Sequence, residues 1–336
     1  MLTHPAPSTS STATRTHRVP RILAAGQLGW SEEPVRPAQA DELLVHTSRS
    51  LVSPGTELAF WTGVHPGLQD PGNTWAKFPW RPGYAALGTV REVGANVSGW
   101  TVGQRVLGAV PHGAWGGYRP QYDLLAPVPE AVSDDAAPFA RFLQIVAGIS
   151  AALAATPKGE TVIVAGGGLI GTLAALWLRS DGWQPRIEDP DDFRRELAQA
   201  CGIPAEVPGK SGEPAAIVDA TGIAALVPGH LERIRHGGTV VLLGSPRTAI
   251  ALDIYRLIHA KCALLTGAHE MRYPTTGPLS RCSLLREALA RLADGRISVT
   301  PLLTQVIAPQ RLPEAYTALA ARTPGWFGVA LDWRHV

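Results

Sequence analysis

The spacing of hydrophobic positions changes near residue 140. Before that point, apolar residues form short or alternating runs separated by Pro and Gly, which is typical of β-strands joined by tight turns. After it, Ala-rich segments with helical spacing alternate with short apolar runs, a pattern that predicts βαβ units and a parallel sheet. The runs that predict strands are Glu42–Thr47, Ala86–Val93, Arg105–Ala109, Thr161–Ala165, Ala215–Ala220, Thr239–Leu243 and Ala263–Gly267.

The two ends of the chain complete this plan. The start is rich in Ser, Thr and Pro and has no apolar run of export-signal length, so we predict a disordered tail over residues 1–19. A helix at Leu312–Ala321 and a strand at Gly328–Trp333 follow the last predicted strand of the parallel sheet. We therefore predict an α/β protein with a β-rich domain over 20–140, completed by about 296–336, and a doubly wound parallel sheet over 141–295.

Length and charge exclude several classes of partner. A chain of 336 residues that is 45% hydrophobic can bury a large core in about two domains. Its 30 Lys and Arg nearly balance 28 Asp and Glu, so we expect no nucleic-acid partner and no membrane partner. Three scattered cysteines and no export signal favour the cytoplasm.

The strongest chemical motif is Gly-Gly-Gly-Leu-Ile-Gly at residues 166–171. It directly follows one predicted strand and opens a predicted helix, Leu169–Ser180. In this context the first glycine permits a tight turn, the second lets backbone N–H groups approach a pyrophosphate, and the third lets the helix pack closely. A glycine-rich turn that serves packing alone is the alternative. The residues expected at the cofactor are Gly166, Gly168, Leu169, Ile170 and Gly171.

An acidic residue about 20 positions later completes a dinucleotide site. We assign this role to Asp189 rather than Glu188, because Asp189 ends the next predicted strand. Its carboxylate would accept hydrogen bonds from ribose hydroxyls and repel a 2′-phosphate, so NAD(H) is favoured and NADP(H) remains possible. Helix capping is the alternative for Asp189 and the preferred role of Asp191 and Asp192. Arg194 either covers the ribose and phosphates or is a solvated helix charge.

With these motifs in order, the chain resembles the medium-chain dehydrogenase/reductase superfamily over roughly residues 20–336. The resemblance implies a GroES-like first domain, a Rossmann cofactor domain with Thr221 and Gly244 at the cofactor, and a cleft between the domains. It also implies a homodimer or homotetramer. Within the superfamily the chain looks most like the branch of bacteriochlorophyllide dehydrogenase and related tailoring enzymes. The motifs that carry the resemblance are PGYAALGTVREVG at 82–94, VGQRV at 102–106, the glycine loop, VDATG at 218–222 and GGTVVLLG at 237–244.

The chain departs from its zinc-dependent relatives at the ligand positions. Counting the family's catalytic ligands onto this sequence gives Pro54, Tyr84 and Arg141, none of which replaces a zinc ligand in kind. The stretch Val106–Tyr118, where the family's structural zinc lobe would lie, contains no cysteine. We therefore predict no zinc and no other metal.

Without zinc, another group must polarise the substrate oxygen. Tyr84 is the candidate acid/base, and Arg141 is the cation that would lower the pKa of its phenol. Thr56 is the candidate proton relay, and Glu57 would hold its loop or orient Arg141. A cleft aromatic, a domain-interface ion pair such as one with Glu57, and turn chemistry are the alternatives for Tyr84, Arg141 and Thr56.

Histidines and tryptophans add weaker candidates. His65 and His112 lie in predicted loops and are less favoured as general bases than as structural residues. Four of the ten tryptophans fall in the loops of the first domain and predict a bulky apolar or sugar-stacking pocket, with core packing as the alternative. These tryptophans are Trp61, Trp75, Trp80 and Trp115.

Our leading hypothesis is a zinc-independent NAD(H) enzyme that moves hydride between a bulky or cyclic secondary alcohol and its ketone, in sugar, cyclitol or secondary-metabolite tailoring. An NADPH-dependent enoyl or quinone reductase is the second hypothesis, and the predicted carboxylate at the ribose argues against it. The third is a non-catalytic NAD(H)-binding sensor, which would bind cofactor without turnover.

Overall fold

The alternating runs of the first half form strands in the computed structural model, which describes residues 15–210 and 212–336. The elements are β1 (Thr16–Ala24), β2 (Gln27–Pro34), β3 (Leu43–Leu51), helix α1 (Thr56–Trp61), β4 (Ala86–Val93), β5 (Arg105–Gly108), β6 (Trp115–Tyr118) and β7 (Leu125–Pro127). Strands β3, β4, β5 and β7 are neighbours in one antiparallel sheet, and β6 also pairs with β3. The predicted β-rich first half is therefore present.

Strands β1 and β2 form an antiparallel hairpin. Val19 and Ile22 on β1 are fully buried, and Ile22 exchanges backbone hydrogen bonds with Trp80. The predicted disordered tail is thus wrong for residues 16–19, because burial of β1 side chains and pairing with β2 order that segment. Residues 1–14 of the predicted tail lie outside the described residues.

The second half forms a parallel sheet in the order β10–β9–β8–β11–β12–β13. Counted from its first strand, this order is 3-2-1-4-5-6, which is that of a doubly wound dinucleotide-binding fold. The predicted α/β fold class is confirmed. The elements are α2 (Phe139–Val146), α3 (Gly148–Ala152), β8 (Thr161–Ala165), α4 (Leu169–Ser180), β9 (Gln184–Glu188), α5 (Asp192–Ala200), β10 (Ala205–Glu206), β11 (Ala216–Asp219), α6 (Val227–Arg233), β12 (Thr239–Leu242), β13 (Leu264–Gly267) and α7 (Arg281–Ala293).

The chain then returns to the first sheet through β14 (Leu303–Ile307), α8 (Leu312–Ala320) and β15 (Gly328–Asp332). Strand β15 lies antiparallel to β3 and parallel to β14. Trp333 follows β15, is fully buried, and donates its indole N–H to Ser50 Oγ on β3 at 2.8 Å. The end of the chain therefore completes the first domain.

Helix α2 joins the two halves. Its Phe139, Phe142 and Leu143 are fully buried in a core that also contains residues of both sheets. The helix packs against α4 and α7 and touches the turn Glu270–Arg272 that follows β13. Side chains on α2 are therefore fixed at the junction of the domains. None of the described helices is long and apolar enough to cross a membrane.

Candidate active site

The glycine loop lies where β8 ends and α4 begins. Gly166 has a φ of +97°, and a Cβ on Gly171 would lie 1.8 Å from Gly166 O, so neither position accepts a side chain. Around Gly168 the space is open, because a Cβ there would find its nearest neighbour, Arg194 Nη1, 4.0 Å away. Gly168 caps the 12-residue helix α4 without a side-chain hydrogen bond. Free N–H groups of the first turn, including those of Leu169 and Ile170, fit the pyrophosphate of a dinucleotide.

The two acidic residues at the end of β9 point to different partners. Asp189 is buried and accepts from Gly167 N at 2.7 Å through Oδ2 and from Asp191 N at 2.9 Å through Oδ1. Oδ1 keeps a second lone pair that a ribose hydroxyl could use, whereas Oδ2 also accepts from Arg194 Nη1. Glu188 instead forms a two-point ion pair with Arg233 at 2.5 Å. The structure thus places Asp189, and not Glu188, against the glycine loop.

Arg194 also lies at this loop. Its Nη1 is 3.5 Å from Asp189 Oδ2, and its backbone N–H donates to Asp191 Oδ1 at 3.1 Å, which makes Asp191 the N-cap of α5. The guanidinium is therefore turned toward the loop, where it can neutralise a phosphate or reach a ribose.

Thr221 and Gly244 lie beside the loop at the ends of β11 and β12. Thr221 donates its N–H and its hydroxyl to Asp219 Oδ1 at 2.7 and 2.6 Å, and its Cγ2 is 3.0 Å from the position of a Cβ on Gly166. Gly244 N donates to Asp219 O at 2.7 Å, and a Cβ on Gly244 would lie 2.4 Å from Gly222 N. Both residues shape the crevice at the carboxyl ends of the strands, where such folds bind ligands.

Tyr84 and its neighbours lie on the first-domain side of the cleft. The Tyr84 hydroxyl makes a short hydrogen bond with Ser53 Oγ, and the Arg141 guanidinium lies 5.1 Å from the centre of its ring. Phe142 packs edge-on against the same ring at 5.6 Å. Thr56 begins α1 within reach of the phenol. The structure therefore brings together Tyr84, Arg141 and Thr56, which sequence spacing alone had placed at one site.

Burial raises the pKa of the Tyr84 phenol. Hydrogen bonds with Ser53 and Thr56 and the charge of Arg141 act in the opposite direction but are outweighed. Arg141 lowers the pKa of the phenol as expected, but the net pKa is raised, because the loss of water around the phenol costs the anion more than the cation restores. Tyr84 is a neutral phenol near pH 7.

Arg141 is buried on α2 and pairs across the domain junction. Its Nη1 donates to Gln144 Oε1 at 2.6 Å, and its Nη2 donates to Glu270 Oε1 at 2.9 Å. Glu270 belongs to the turn after β13, at the carboxyl end of the parallel sheet. The suggested pairing of Arg141 with Glu57 is therefore wrong, since Glu270 takes that place.

Glu57 is fully buried and belongs to a separate network. It accepts from Ser53 N at 2.7 Å, from Tyr316 Oη at 2.6 Å and from His112 Nε2 at 3.1 Å. His112 Nδ1 lies 2.7 Å from Ser50 Oγ, and Nε2 is the donor to Glu57, because a carboxylate oxygen only accepts. Glu57 holds its loop as expected but does not orient Arg141. His112, fully buried between Ser50 and Glu57, does not reach the cleft.

His65 lies nearer the cleft mouth but has structural partners. Its ring stacks on Phe60 at 4.6 Å, and its Nδ1 accepts from Gly67 N at 3.1 Å. Burial lowers the pKa of His65, and nearby Arg247 lowers it further. Arg247 comes from the loop after β12 and donates to Gly55 O at 3.2 Å, so it bridges the two domains.

The tryptophans do not form the aromatic pocket expected from the sequence. Trp80 stacks on Phe60 at 3.9 Å, Trp75 packs edge-on against the same ring, and Trp61 packs against α8. Trp115 lies in strand β6 rather than in a loop, next to His46. Packing within the first domain accounts for Trp61, Trp80 and Trp115, whereas Trp75 packs against Phe60 on one edge and is 56% exposed.

The three family ligand positions do not offer a zinc site. Pro54 has no side-chain donor atom, and the guanidinium of Arg141 has only N–H donors and a fixed positive charge. Within residues 15–210 and 212–336 no three His, Cys, Asp or Glu side chains are grouped so that they could hold a metal ion. The donor set therefore does not fit the metal that zinc-dependent relatives carry.

Comparisons with known proteins agree with this architecture. Residues 39–120 match the family model of the alcohol dehydrogenase GroES-like domain. The chain is 27% identical to 2-desacetyl-2-hydroxyethyl bacteriochlorophyllide A dehydrogenase of Cereibacter sphaeroides, over 89% of this chain and 92% of that protein.

Two solved structures share the fold over most of the chain. One, described as a short chain alcohol dehydrogenase of Escherichia coli CFT073 in complex with NADH, gives a TM-score of 0.77 at 18% identity and covers 94% of this chain and 99% of that one. The other is a proposed zinc-binding dehydrogenase of Sinorhizobium meliloti 1021 bound to NADP, with a TM-score of 0.76 at 18% identity over 95% and 99%.

These matches make the chain similar to oxidoreductases of the alcohol dehydrogenase type. In its GroES-like segment and in its fold the chain is similar to the medium-chain dehydrogenase/reductase superfamily.

Three site residues escaped the sequence reasoning. Ser53 bonds the Tyr84 hydroxyl, and Gln144 and Glu270 bond Arg141. Gln144 stands three residues after Arg141 in a predicted helical segment, a spacing that puts both side chains on one helix face. No local pattern connects Glu270 to Arg141, because the contact spans 129 positions.

Proposed function

We propose that the protein is a zinc-independent, NAD(H)-dependent oxidoreductase that interconverts a secondary alcohol and its ketone. The observation that carries the proposal is the group formed by Tyr84, Ser53 and Arg141. It puts a neutral phenol and a guanidinium where the superfamily places its catalytic metal ligands. A proton donor and a fixed cation are the two functions that a reducible carbonyl needs from its site.

The phenol supplies the proton chemistry. A bound nicotinamide would supply the hydride for ketone reduction, and Tyr84 Oη would donate the proton to the substrate oxygen. In the reverse direction the phenolate takes the proton of the alcohol. Ser53 and Thr56 can relay this proton, because a hydroxyl accepts and donates at the same atom.

The guanidinium stabilises charge on the substrate oxygen. The Arg141 guanidinium offers N–H donors to the substrate oxygen and is itself paired with Glu270. Its hydrogen bonds to Gln144 and Glu270 and its burial hold the cation still while charge develops. The side chain therefore stabilises the alkoxide without a metal.

The choice of cofactor rests on Asp189. Its carboxylate is held by Gly167 N, Asp191 N and Arg194 Nη1, and Oδ1 keeps a lone pair for a ribose hydroxyl. A 2′-phosphate would put a second negative charge against a buried carboxylate, which favours NAD(H).

The test is an assay of the purified protein with NAD(H) against paired secondary alcohols and ketones, combined with elemental analysis. We expect far less than one zinc per chain and turnover that a chelator does not reduce. Stoichiometric zinc that is needed for turnover would contradict zinc independence. Cofactor binding without turnover over the whole panel would contradict an enzyme and favour a sensor, and turnover confined to activated C=C substrates would favour an enoyl or quinone reductase.

A further inference from the structure

A polar cavity lies in the first domain beside the β1–β2 hairpin, and we call it the hairpin cavity. Its volume is about 270 Å³, just below the usual range for small-molecule sites, so it can hold a small metabolite. Among the described residues that line it, none belongs to the glycine loop or to the group around Tyr84. Its charged and titratable side chains are His17, Glu33, Arg36, Glu42 and Arg81.

Two residues of the hairpin cavity each keep a nitrogen atom without a partner among the described residues. These buried atoms are His17 Nδ1 and Arg81 Nε. The two side chains are neighbours, because Arg81 Nη2 and His17 Cε1 lie 3.4 and 3.6 Å from the single point where a Cβ on Gly113 would stand. A buried polar atom without a partner is costly, and native proteins keep few of them unless a ligand or water completes the bond.

The two acids of the cavity are already held by arginines. Glu33 pairs with Arg21 at 2.8 Å through Oε1 and with Arg81 at 3.2 Å through Oε2. Glu42 accepts from both terminal nitrogens of Arg36, at 2.5 and 2.9 Å. Arg81 uses only Nη1 in its ion pair, and its Nε is unpaired. The edge formed by Nε and Nη2 is the one that matches two oxygens of a carboxylate or phosphate, so Arg81 has a two-point donor to offer.

Arginines outnumber glutamates around the cavity. Arg15 lies 4.5 Å from the centre of the ring of Trp115, which is a lining residue. Glu92 accepts from the backbone N–H of Ala38, another lining residue, at 2.9 Å. Side chains that line the cavity or directly contact its lining therefore carry a net positive charge, which favours an anion. They are Arg15, Arg21, Arg36 and Arg81 against Glu33, Glu42 and Glu92.

We propose that the hairpin cavity binds a small oxyanion, the phosphate or carboxylate group of a metabolite, with Arg81 as its main ligand-binding residue and His17 beside it. A phosphate or carboxylate only accepts hydrogen bonds and brings the negative charge that the arginines lack. An ammonium would be repelled by these arginines and would compete with them for Glu33 and Glu42. The site lies apart from the hydride-transfer cleft and does not depend on the proposed function.

The experiment measures anion binding by calorimetry. Inorganic phosphate and malonate are titrated separately into the wild-type protein, with NAD in excess because the glycine loop is itself suited to anions. Chloride keeps the ionic strength constant, so that screening does not change along the titration. We expect saturable binding of at least one of the two anions. Tighter binding of phosphate assigns a phosphorylated ligand, and tighter binding of malonate assigns a carboxylate. No binding of either anion up to about 10 mM would overturn the inference.

Variants assign the binding to this cavity. Arg81→Gln removes the charge and the two-point donor, so we expect the dissociation constant of the bound anion to rise at least about tenfold. Arg296→Gln changes an exposed arginine that pairs with Asp294, and this control should keep the wild-type value.

A second variant blocks the space and leaves every charge in place. A Cβ on Gly117, a lining residue, would lie 3.4 Å from Arg36 Nη2, so Gly117→Val puts a larger side chain into the cavity. We expect the same loss of binding, and this variant decides the matter if Arg81→Gln does not fold. A wild-type dissociation constant in either folded variant would put the anion elsewhere and overturn the inference.

Discussion

Two carboxylates, Glu57 and Glu270, differ in how fully they are bonded. Glu57 accepts from Ser53 N, Tyr316 and His112 and is enclosed on all sides. Glu270 bonds Arg141 through one oxygen, leaves the other without a partner in the described chain, and has a side chain that is 18% exposed. Burial and charge alone do not separate a structural acid from a ligand-binding one. The spare hydrogen-bonding capacity of the carboxylate separates the two kinds of acid.

Spare hydrogen-bonding capacity also distinguishes His112 from Arg141, and it describes a third acid, Asp189. Both ring nitrogens of His112 have hydrogen-bond partners, whereas Arg141 Nε has none in the described chain. Asp189 is buried like Glu57 but keeps one lone pair free on Oδ1, since Oδ1 accepts only from Asp191 N while Oδ2 accepts from Gly167 N and Arg194 Nη1. We expect substitution of a fully bonded residue to lower stability, and substitution of a residue with spare hydrogen-bonding capacity to change ligand binding or catalysis.

The largest effect is expected at Glu57. Glu57→Ala leaves three buried donors without their shared acceptor and should lower the free energy of unfolding by about 3–5 kcal/mol, through loss of a buried charged network. Urea denaturation followed by tryptophan fluorescence measures this. Glu314→Ala, an exposed ion-pair partner of Arg311, should leave the midpoint unchanged. If Glu57→Ala keeps the wild-type denaturation midpoint but loses activity, Glu57 acts in ligand binding or catalysis rather than in stability.

The next effect is expected at Tyr84. Tyr84→Phe removes the proton donor and should lower kcat/KM by about 100-fold, with little change in stability. The raised pKa of Tyr84 also predicts the pH dependence. Alcohol oxidation needs the phenolate and should rise with pH from neutral through alkaline values, whereas ketone reduction needs the phenol and should stay level over that range.

Initial rates in both directions from pH 6 to about 10 test this assignment. Tyr122→Phe, which changes an exposed tyrosine, is the control and should keep the wild-type profile. If Tyr84→Phe keeps both the rate and the slope of the oxidation profile, Tyr84 is not the acid/base.

The smallest effect is expected at Asp189. Asp189→Ser should narrow the preference for NAD over NADP in kcat/KM by about tenfold, which corresponds to about 1.4 kcal/mol. Binding of both cofactors should weaken, because the carboxylate also orders Gly167 N, so the ratio is the informative quantity. Asp192→Ser, which changes an exposed residue of α5, should leave that ratio unaltered. A wild-type ratio in Asp189→Ser would take Asp189 out of the ribose site.

The cofactor half was more predictable than the cleft, for a physical reason. Strand β8 and helix α4 have the predicted bounds, and Asp189 lies against the glycine loop 22 positions away, because that motif is one continuous βαβ unit. The cleft depends on contacts between distant segments, such as Arg141 with Glu270 and Glu57 with Tyr316. Spacing placed Tyr84 and Arg141 correctly in one group. It could not show that burial would dominate the pKa of the phenol or which acid would meet the guanidinium.

The pairing of β15 with β3 affects how the protein is made. Trp333 donates to Ser50, Ser50 bonds His112, and His112 bonds Glu57, so a connected line of side chains runs from the last strand to the loop that holds Ser53. During synthesis the parallel sheet is complete before β15 leaves the ribosome, and the first domain must wait with an unpaired edge on β3. The cofactor half can therefore fold on the nascent chain, whereas the catalytic cleft is assembled only after nearly the whole polypeptide has been translated.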